Sequence, residues 1–156
     1  MDLNGKTFCT KKAGLAAGTT TTFTTANAID YCIDGEAYTY PAQTNTATPT
    51  TDSNTGLAFV GVPINKGSLF VFGVSEGGTL KVVQGTVEDL DAGANFMKAP
   101  EYPPLPSDFC PFGELIIKVA SNGSTWTFGS SNQASVTGVT YIRNDLMMLK
   151  SRPHVS

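Results

Sequence analysis

The sequence predicts an all-β domain, an antiparallel β-sandwich or jelly-roll-like fold whose hairpins are joined by a proline-rich crossover. Three observations carry that expectation. Charged residues make up only 15% of the chain against 40% hydrophobic, with 16 glycines and 9 prolines, a balance that suits short strands and turns better than long helices. Apolar and β-branched residues recur in short runs, several of them alternating with period two. The dipeptides Asp34-Gly35, Gly77-Gly78 and Asn122-Gly123 each stand between two such runs, where a tight hairpin turn needs residues tolerant of positive φ. At 156 residues the chain is the size of one domain with a substantial core.

Taken in order, residues 1–18 read as an N-terminal arm or an edge strand, with weak alternation over Lys6 to Thr10. A single β domain is expected over 19–150, opening with the β-branched tract Thr19 to Thr25. Around Asp34-Gly35 a two-residue turn sets Ile33 opposite Glu36, Tyr31 opposite Tyr38 and Ile29 opposite Tyr40. Residues 41–56 are too polar to order themselves and read as an exposed loop. Leu57 to Val62 leads to the run Ser68 to Val74, and a turn at Gly77-Gly78 is expected to pair Phe72 with Val83 and Ser75 with Leu80. Phe70, Phe72 and Val74 fall on one face of that run and Leu69 and Val71 on the other, so it belongs in the centre of a sandwich or at a subunit interface. Oligomerisation is expected on that ground.

The acidic stretch Thr86 to Asp91 lacks the spacing of a calcium loop and reads as a solvated turn or a short capped helix. Residues 92–111 hold five of the prolines and are expected to cross stiffly between sheets. The Asn122-Gly123 turn is expected to pair Val119 with Trp126 and Ile117 with Phe128, putting Leu115 and those four side chains on one core face. A last strand over Val136 to Ile142 precedes a polar tail at 151–156 that carries His154.

A net charge of −3 supplies no basic field for phosphate, so nucleic acid is not an expected partner. No apolar run reaches membrane-spanning length, and the N-terminus shows no signal-peptide core, so a soluble protein made in the cytoplasm is expected. Cys9, Cys32 and Cys110 cannot all pair within one chain and have no zinc-ligand spacing; they read as buried thiols, with one disulfide plus a remaining thiol as the alternative. The lone His154 on a tail is poorly placed for a nucleophile–base pair, and no HExxH, GxSxG, Walker A or GxGxxG pattern occurs. A non-enzymatic protein with no cofactor and no metal site is expected.

The pattern Pro104-Leu105-Pro106, Pro111-Phe112-Gly113-Glu114-Leu115-Ile116-Ile117-Lys118, Asn122-Gly123, Thr127-Phe128-Gly129 and Gly138-Val139-Thr140-Tyr141 resembles small virion proteins of tailed bacteriophages. The hairpin Ala28 to Tyr38 resembles one near the N-terminus of the same proteins, and together these stretches span somewhat under half of the chain. The resemblance implies a β-sandwich of the capsid decoration, or cement, type: a homo-oligomer, commonly a trimer, on the capsid exterior, bridging subunits of the major capsid protein. Candidate partner contacts are Phe8 on the arm, Tyr38 and Tyr40 on the hairpin, Pro41 and Thr50 on the loop, and Phe70 and Phe72 on the two-faced run. The alternative is a tail or fibre-associated module that recognises host surface glycan, stacking sugars on Tyr31, Tyr38, Tyr40 or Trp126.

Overall fold

The computed structural model describes residues 7–147. The expected tail 151–156 with His154 lies outside the described residues, as do residues 1–6 of the expected arm. Eleven strands occur in the described chain: β1 (Phe8–Cys9), β2 (Leu15–Ala17), β3 (Thr22–Thr25), β4 (Ile29–Ile33), β5 (Glu36–Tyr40), β6 (Thr46–Ala47), β7 (Lys66–Val74), β8 (Leu80–Gln84), β9 (Glu88–Asp89), β10 (Cys110–Val119) and β11 (Val139–Asp145). All pairings are antiparallel. A five-stranded sheet runs β11-β10-β7-β8 with β9 added to β7, and two smaller sheets run β1-β4-β5 and β2-β3-β6. The all-β expectation holds, with three sheets in a sandwich-like arrangement.

The main core lies between the large sheet and the two small ones. Phe70, Phe72, Val74 and Val82 of the large sheet meet Ile29, Tyr31, Ile33 and Tyr40 of one small sheet and Phe23 of the other. Strand β10 contributes Cys110 and Phe112 as well as Leu115, Ile117 and Val119 to this face, two sets of opposite parity. A β-bulge reconciles them. The register slips between Pro111 and Gly113, leaving Phe112 as an extra residue, and the side chains change faces at that point.

The opposite face of the large sheet is also covered. Leu69, Val71, Val83, Phe109 and Leu146 form a second buried cluster, closed over by Tyr102 and Leu105. The central strand β7 is therefore packed on both sides within one chain, and its odd positions Gly67 and Gly73 make room for the rings of Phe96 and Phe109. The proline-rich segment does not pass between sheets, as its composition suggested. It joins β9 to β10 within one sheet and lies over the outer face, where backbone without N–H groups is useless as a ladder strand but adequate as a cover.

The three turn signals fare differently. At Asp34-Gly35 both residues have positive φ, 50° and 89°, and the pairs Ile33 with Glu36, Tyr31 with Tyr38 and Ile29 with Tyr40 all form. At Gly77-Gly78 the hairpin forms one residue out of the expected register: Phe72 pairs with Val82 and Val74 with Leu80. The loop holds three residues, Glu76 to Gly78, with Gly78 at φ 75° and Ser75 N–H donating to Thr79 at 3.0 Å. The Asn122-Gly123 hairpin does not form. β10 pairs instead with β11, setting Val119 opposite Val139 and Ile117 opposite Tyr141, while Trp126 bridges to Val62. The expected common core face of Leu115, Ile117, Val119, Trp126 and Phe128 nonetheless exists, since all five are buried in the main core.

Local departures are smaller. The expected edge strand near the N-terminus is β1, paired only with β4. The loop 41–56 includes the short strand β6 and buries Thr48 and Asp52, so side-chain hydrogen bonds supply the order that its apolar content does not. The acidic stretch forms β9 and a turn in which Asp91 Oδ1 accepts from Gly93 N–H at 2.8 Å and Asn95 N–H at 2.9 Å. Those N–H donors hold the Asp91 carboxyl below its usual range.

Candidate functional site

Two surfaces stand out against this body. The first is a groove of about 440 Å³ on the outside of the β1-β4-β5 sheet, lined among others by Phe8, Asp30, Cys32, Tyr38 and Thr39. Register puts Phe8 beside Cys32 and Cys32 beside Ala37, so strand alternation turns these side chains away from Cys9, Tyr31 and the core. Thr39 Oγ1 donates to Asp30 Oδ1 at 2.9 Å across the pair, which fixes the polar wall. Tyr38 donates its hydroxyl to Glu36 Oε2 at 2.8 Å, and this bond pushes the phenol up to about 12.

The second surface is a row of exposed apolar side chains, Leu57 (70% exposed), Val60 (64%) and Ile64 (46%), on the segment that leads into β7. Phe59 and Val62 of the same segment point inward and are buried. The backbone between them is clamped. Val60 N–H donates to Gln84 Oε1 at 2.8 Å, and Gln84 Nε2 donates back to Val60 C=O at 3.0 Å. Val62 and Trp126 exchange two backbone hydrogen bonds, at 2.7 and 3.0 Å. Asp52, itself buried, donates its N–H to Leu57 C=O at 2.9 Å, and its carboxylate accepts from Asn54 N–H at 2.8 Å and Gln84 N–H at 3.3 Å. These apolar groups are thus held out by rigid backbone.

The expected contacts divide sharply. Phe8 reaches the groove, and Pro41 and Thr50 are exposed on the following loop. Tyr38 stands opposite Tyr31, and its ring stacks on Tyr31 at 5.5 Å on the core side of the sheet, so only its strand borders the groove. Phe70, Phe72 and Tyr40 are corrections: they are 0%, 1% and 6% exposed, so they have no surface to offer a partner. Apolar residues on both faces of β7 reflect its central place in the chain's own layers, and they give no reason for oligomerisation. The stacking surface expected for glycan shrinks in the same way. Tyr31 is buried with its hydroxyl donated to Ser75 C=O at 2.7 Å. Trp126 is buried against Phe70 at a ring separation of 5.6 Å and donates Nε1–H to Asn132 C=O at 3.0 Å.

The row Leu57, Val60 and Ile64 was not singled out from sequence. The signal was present as an apolar run, but its inward members Phe59 and Val62 are three apart, matching neither strand face, and hydrogen bonds to Gln84 and Trp126 decide which side chains turn out. Among the described residues, no group of three or more His, Cys, Asp or Glu side chains is arranged to hold a metal ion. Comparison with protein-family models, with curated proteins and with solved structures gave no match.

Proposed function

We propose that this protein is a structural component of a bacteriophage virion, a decoration protein that binds the capsid exterior and reinforces it by bridging subunits of the major capsid protein. The observation that carries the reading is the clamped apolar row Leu57, Val60 and Ile64, presented by a body whose large sheet is covered on both faces. A protein that works by mechanical attachment needs a stiff body and apolar groups that lose little freedom on binding, because ordering mobile side chains and loops weakens association. The sequence resemblance described above points the same way. In this reading the protein is non-catalytic, acts without a cofactor, and is made in the host cytoplasm before attaching to the capsid surface. Self-association into a trimer belongs to the same proposal and rests on the resemblance alone.

Many copies on a lattice multiply modest contacts through avidity, so each site need bury only part of the roughly 1,200–2,000 Å² of a stand-alone interface. The test is co-sedimentation of the purified protein with expanded capsids that lack it, followed by heating and low-salt challenge. Saturable binding with improved capsid survival is expected; absence of binding, or binding without protection, overturns the proposal.

The groove at Phe8, Asp30 and Thr39 favours a second reading, recognition of a host surface glycan, since it combines an aromatic edge with fixed hydrogen-bonding groups. Binding to a glycan array that is lost in Phe8→Ala, with no capsid association, is the outcome that selects it.

A further inference from the structure

We propose that Cys9 and Cys110 are a modification site: a pair of thiols placed to form one intramolecular disulfide that staples the edge strand β1 to the central sheet. Their sulfurs lie 3.4 Å apart, in the main core, on strands belonging to different layers of the sandwich. Closing to a bonded sulfur separation of about 2.05 Å needs a movement on the order of 1–1.5 Å, within what a short edge strand yields by side-chain rotation and a small backbone shift. β1 has two residues paired to β4 and Cys9 N–H bonded to Met147 C=O at 2.6 Å, far fewer ladder contacts than the ten-residue β10, so it is the partner that adjusts. Cys32 is excluded from the pair by strand alternation: Cys9 stands beside Tyr31, whereas Cys32 stands beside Phe8 and lines the outer groove.

The chemistry needs a two-electron oxidant, and a small-molecule disulfide such as oxidised glutathione supplies it. Cys9 attacks one sulfur of that disulfide as a thiolate, releasing one glutathione thiol and leaving a mixed disulfide on the protein. Cys110 then attacks the Cys9 sulfur and expels the second glutathione thiol. Two protein S–H bonds are lost, one protein S–S bond forms, and the reagent's S–S bond becomes two S–H bonds. Both thiols are buried, and Cys9 Sγ also donates to Pro111 C=O at 3.3 Å, so the reaction waits on local opening of the two-residue strand β1, which frees Cys9 first. A thiol pair of this kind stays reduced in a cytoplasm and closes in an oxidising exterior. The staple does not depend on the virion reading.

The staple joins residues 101 apart in sequence, so it removes a long loop's worth of freedom from the unfolded chain. The test is to hold the folded full-length chain in oxidised glutathione or in dithiothreitol, then denature, alkylate and map the peptides by mass spectrometry. Expected are loss of two of the three alkylatable thiols, a crosslinked peptide pair containing Cys9 and Cys110, and Cys32 alkylated. The thermal midpoint should rise by roughly 10 °C, the scale implied by closing so long a loop in a chain of this size. Cys32→Ser should still crosslink, and Cys9→Ala should not. Three alkylatable thiols after prolonged oxidation, a crosslink that includes Cys32, or bonding only between chains overturns the proposal.

Discussion

Tyr102 donates its phenol hydroxyl to the carboxylate of Glu114, joining the proline-rich cover to the second strand of the sheet beneath it. Glu114 is only 2% exposed, and its other carboxylate oxygen accepts from Asn144 Nδ2 at 3.0 Å on β11. One buried acid thereby ties together the proline-rich cover, β10 and β11. The buried cluster on that face, Leu69, Val71, Val83 and Phe109, is apolar, so the carboxylate depends on hydrogen bonds within the protein to offset the hydration it gave up.

Tyr102→Phe keeps the ring and removes the donor. The expected cost is about 2 kcal/mol, the scale of a hydrogen bond to a charged group whose partner stays buried. Urea unfolding should show a lower midpoint at unchanged slope. In a double-mutant cycle with Glu114→Leu, the Tyr102→Phe cost should largely vanish; full additivity of the two changes would show that the bond does not couple them.

Gly73→Ala tests the seating of the same cover. A methyl group there would lie 2.3 Å from the nearest ring atom of Phe109, which is buried and unable to swing clear. Overpacking of this kind costs about 1–3 kcal/mol. Gly73→Ala combined with Phe109→Leu should recover part of the loss, because the smaller side chain frees the space; a single variant as stable as the parent would contradict the packing.

What could be read from sequence follows the range of the interactions responsible. The Asp34-Gly35 hairpin is legible to the residue because two positive φ angles fix the turn and the turn fixes the register. Asn122-Gly123 has the same chemistry, but neither residue adopts a positive φ; Gly138 does, at 77°, and its backbone packs so closely on Gly123 that a Cβ at Gly138 would sit 2.6 Å from Gly123 Cα. The turn that leads β10 to β11 is thus completed by a contact between two glycines fifteen residues apart, which no local rule sees. The bulge at Phe112 is equally invisible, and it decides which half of β10 faces the core. For the candidate site, the apolar faces of β7 were legible and their occupants were not: the proline-rich segment that covers Leu69 and Val71 gives no periodic signal. Phe70 and Phe72 therefore read equally as the centre of a sandwich or as a subunit interface, and no local pattern marks Leu57, Val60 and Ile64 as the side chains that turn out.

If the exposed row is the attachment surface, Leu57→Asp with Val60→Asp should abolish capsid binding while leaving the fold intact. Both side chains are mostly in water, so the substitutions should change stability by no more than about 0.5 kcal/mol each. Charged groups placed in an apolar contact must be desolvated without a partner, so affinity should fall at least about 100-fold. Thermal unfolding checks the first statement and co-sedimentation the second; undiminished binding by a well-folded double variant would move the contact elsewhere.

Alkaline pH should unfold the protein through its tyrosines. All five, Tyr31, Tyr38, Tyr40, Tyr102 and Tyr141, have phenols raised above the ordinary value of 10.0, and for all but Tyr38 burial is the first cause. Tyr102 adds its hydrogen bond to Glu114, while Tyr38 is held up mainly by Glu36. A raised folded-state value means that the folded chain keeps protons which the unfolded chain releases above its own value near 10. The tyrosine contribution to stability is therefore complete below about pH 10 and is lost as pH climbs through the folded values. Denaturant midpoints should be level with respect to this contribution up to about pH 10 and then fall steeply. Phenolate absorbance supplies the second readout: the buried Tyr31 and Tyr40 should ionise together with loss of near-ultraviolet circular dichroism, whereas Tyr38 should titrate in the folded protein, near 12. Gradual ionisation of most tyrosines close to pH 10 in a still-folded chain would contradict the burial of Tyr31 and Tyr40 and the partial burial of Tyr102 and Tyr141.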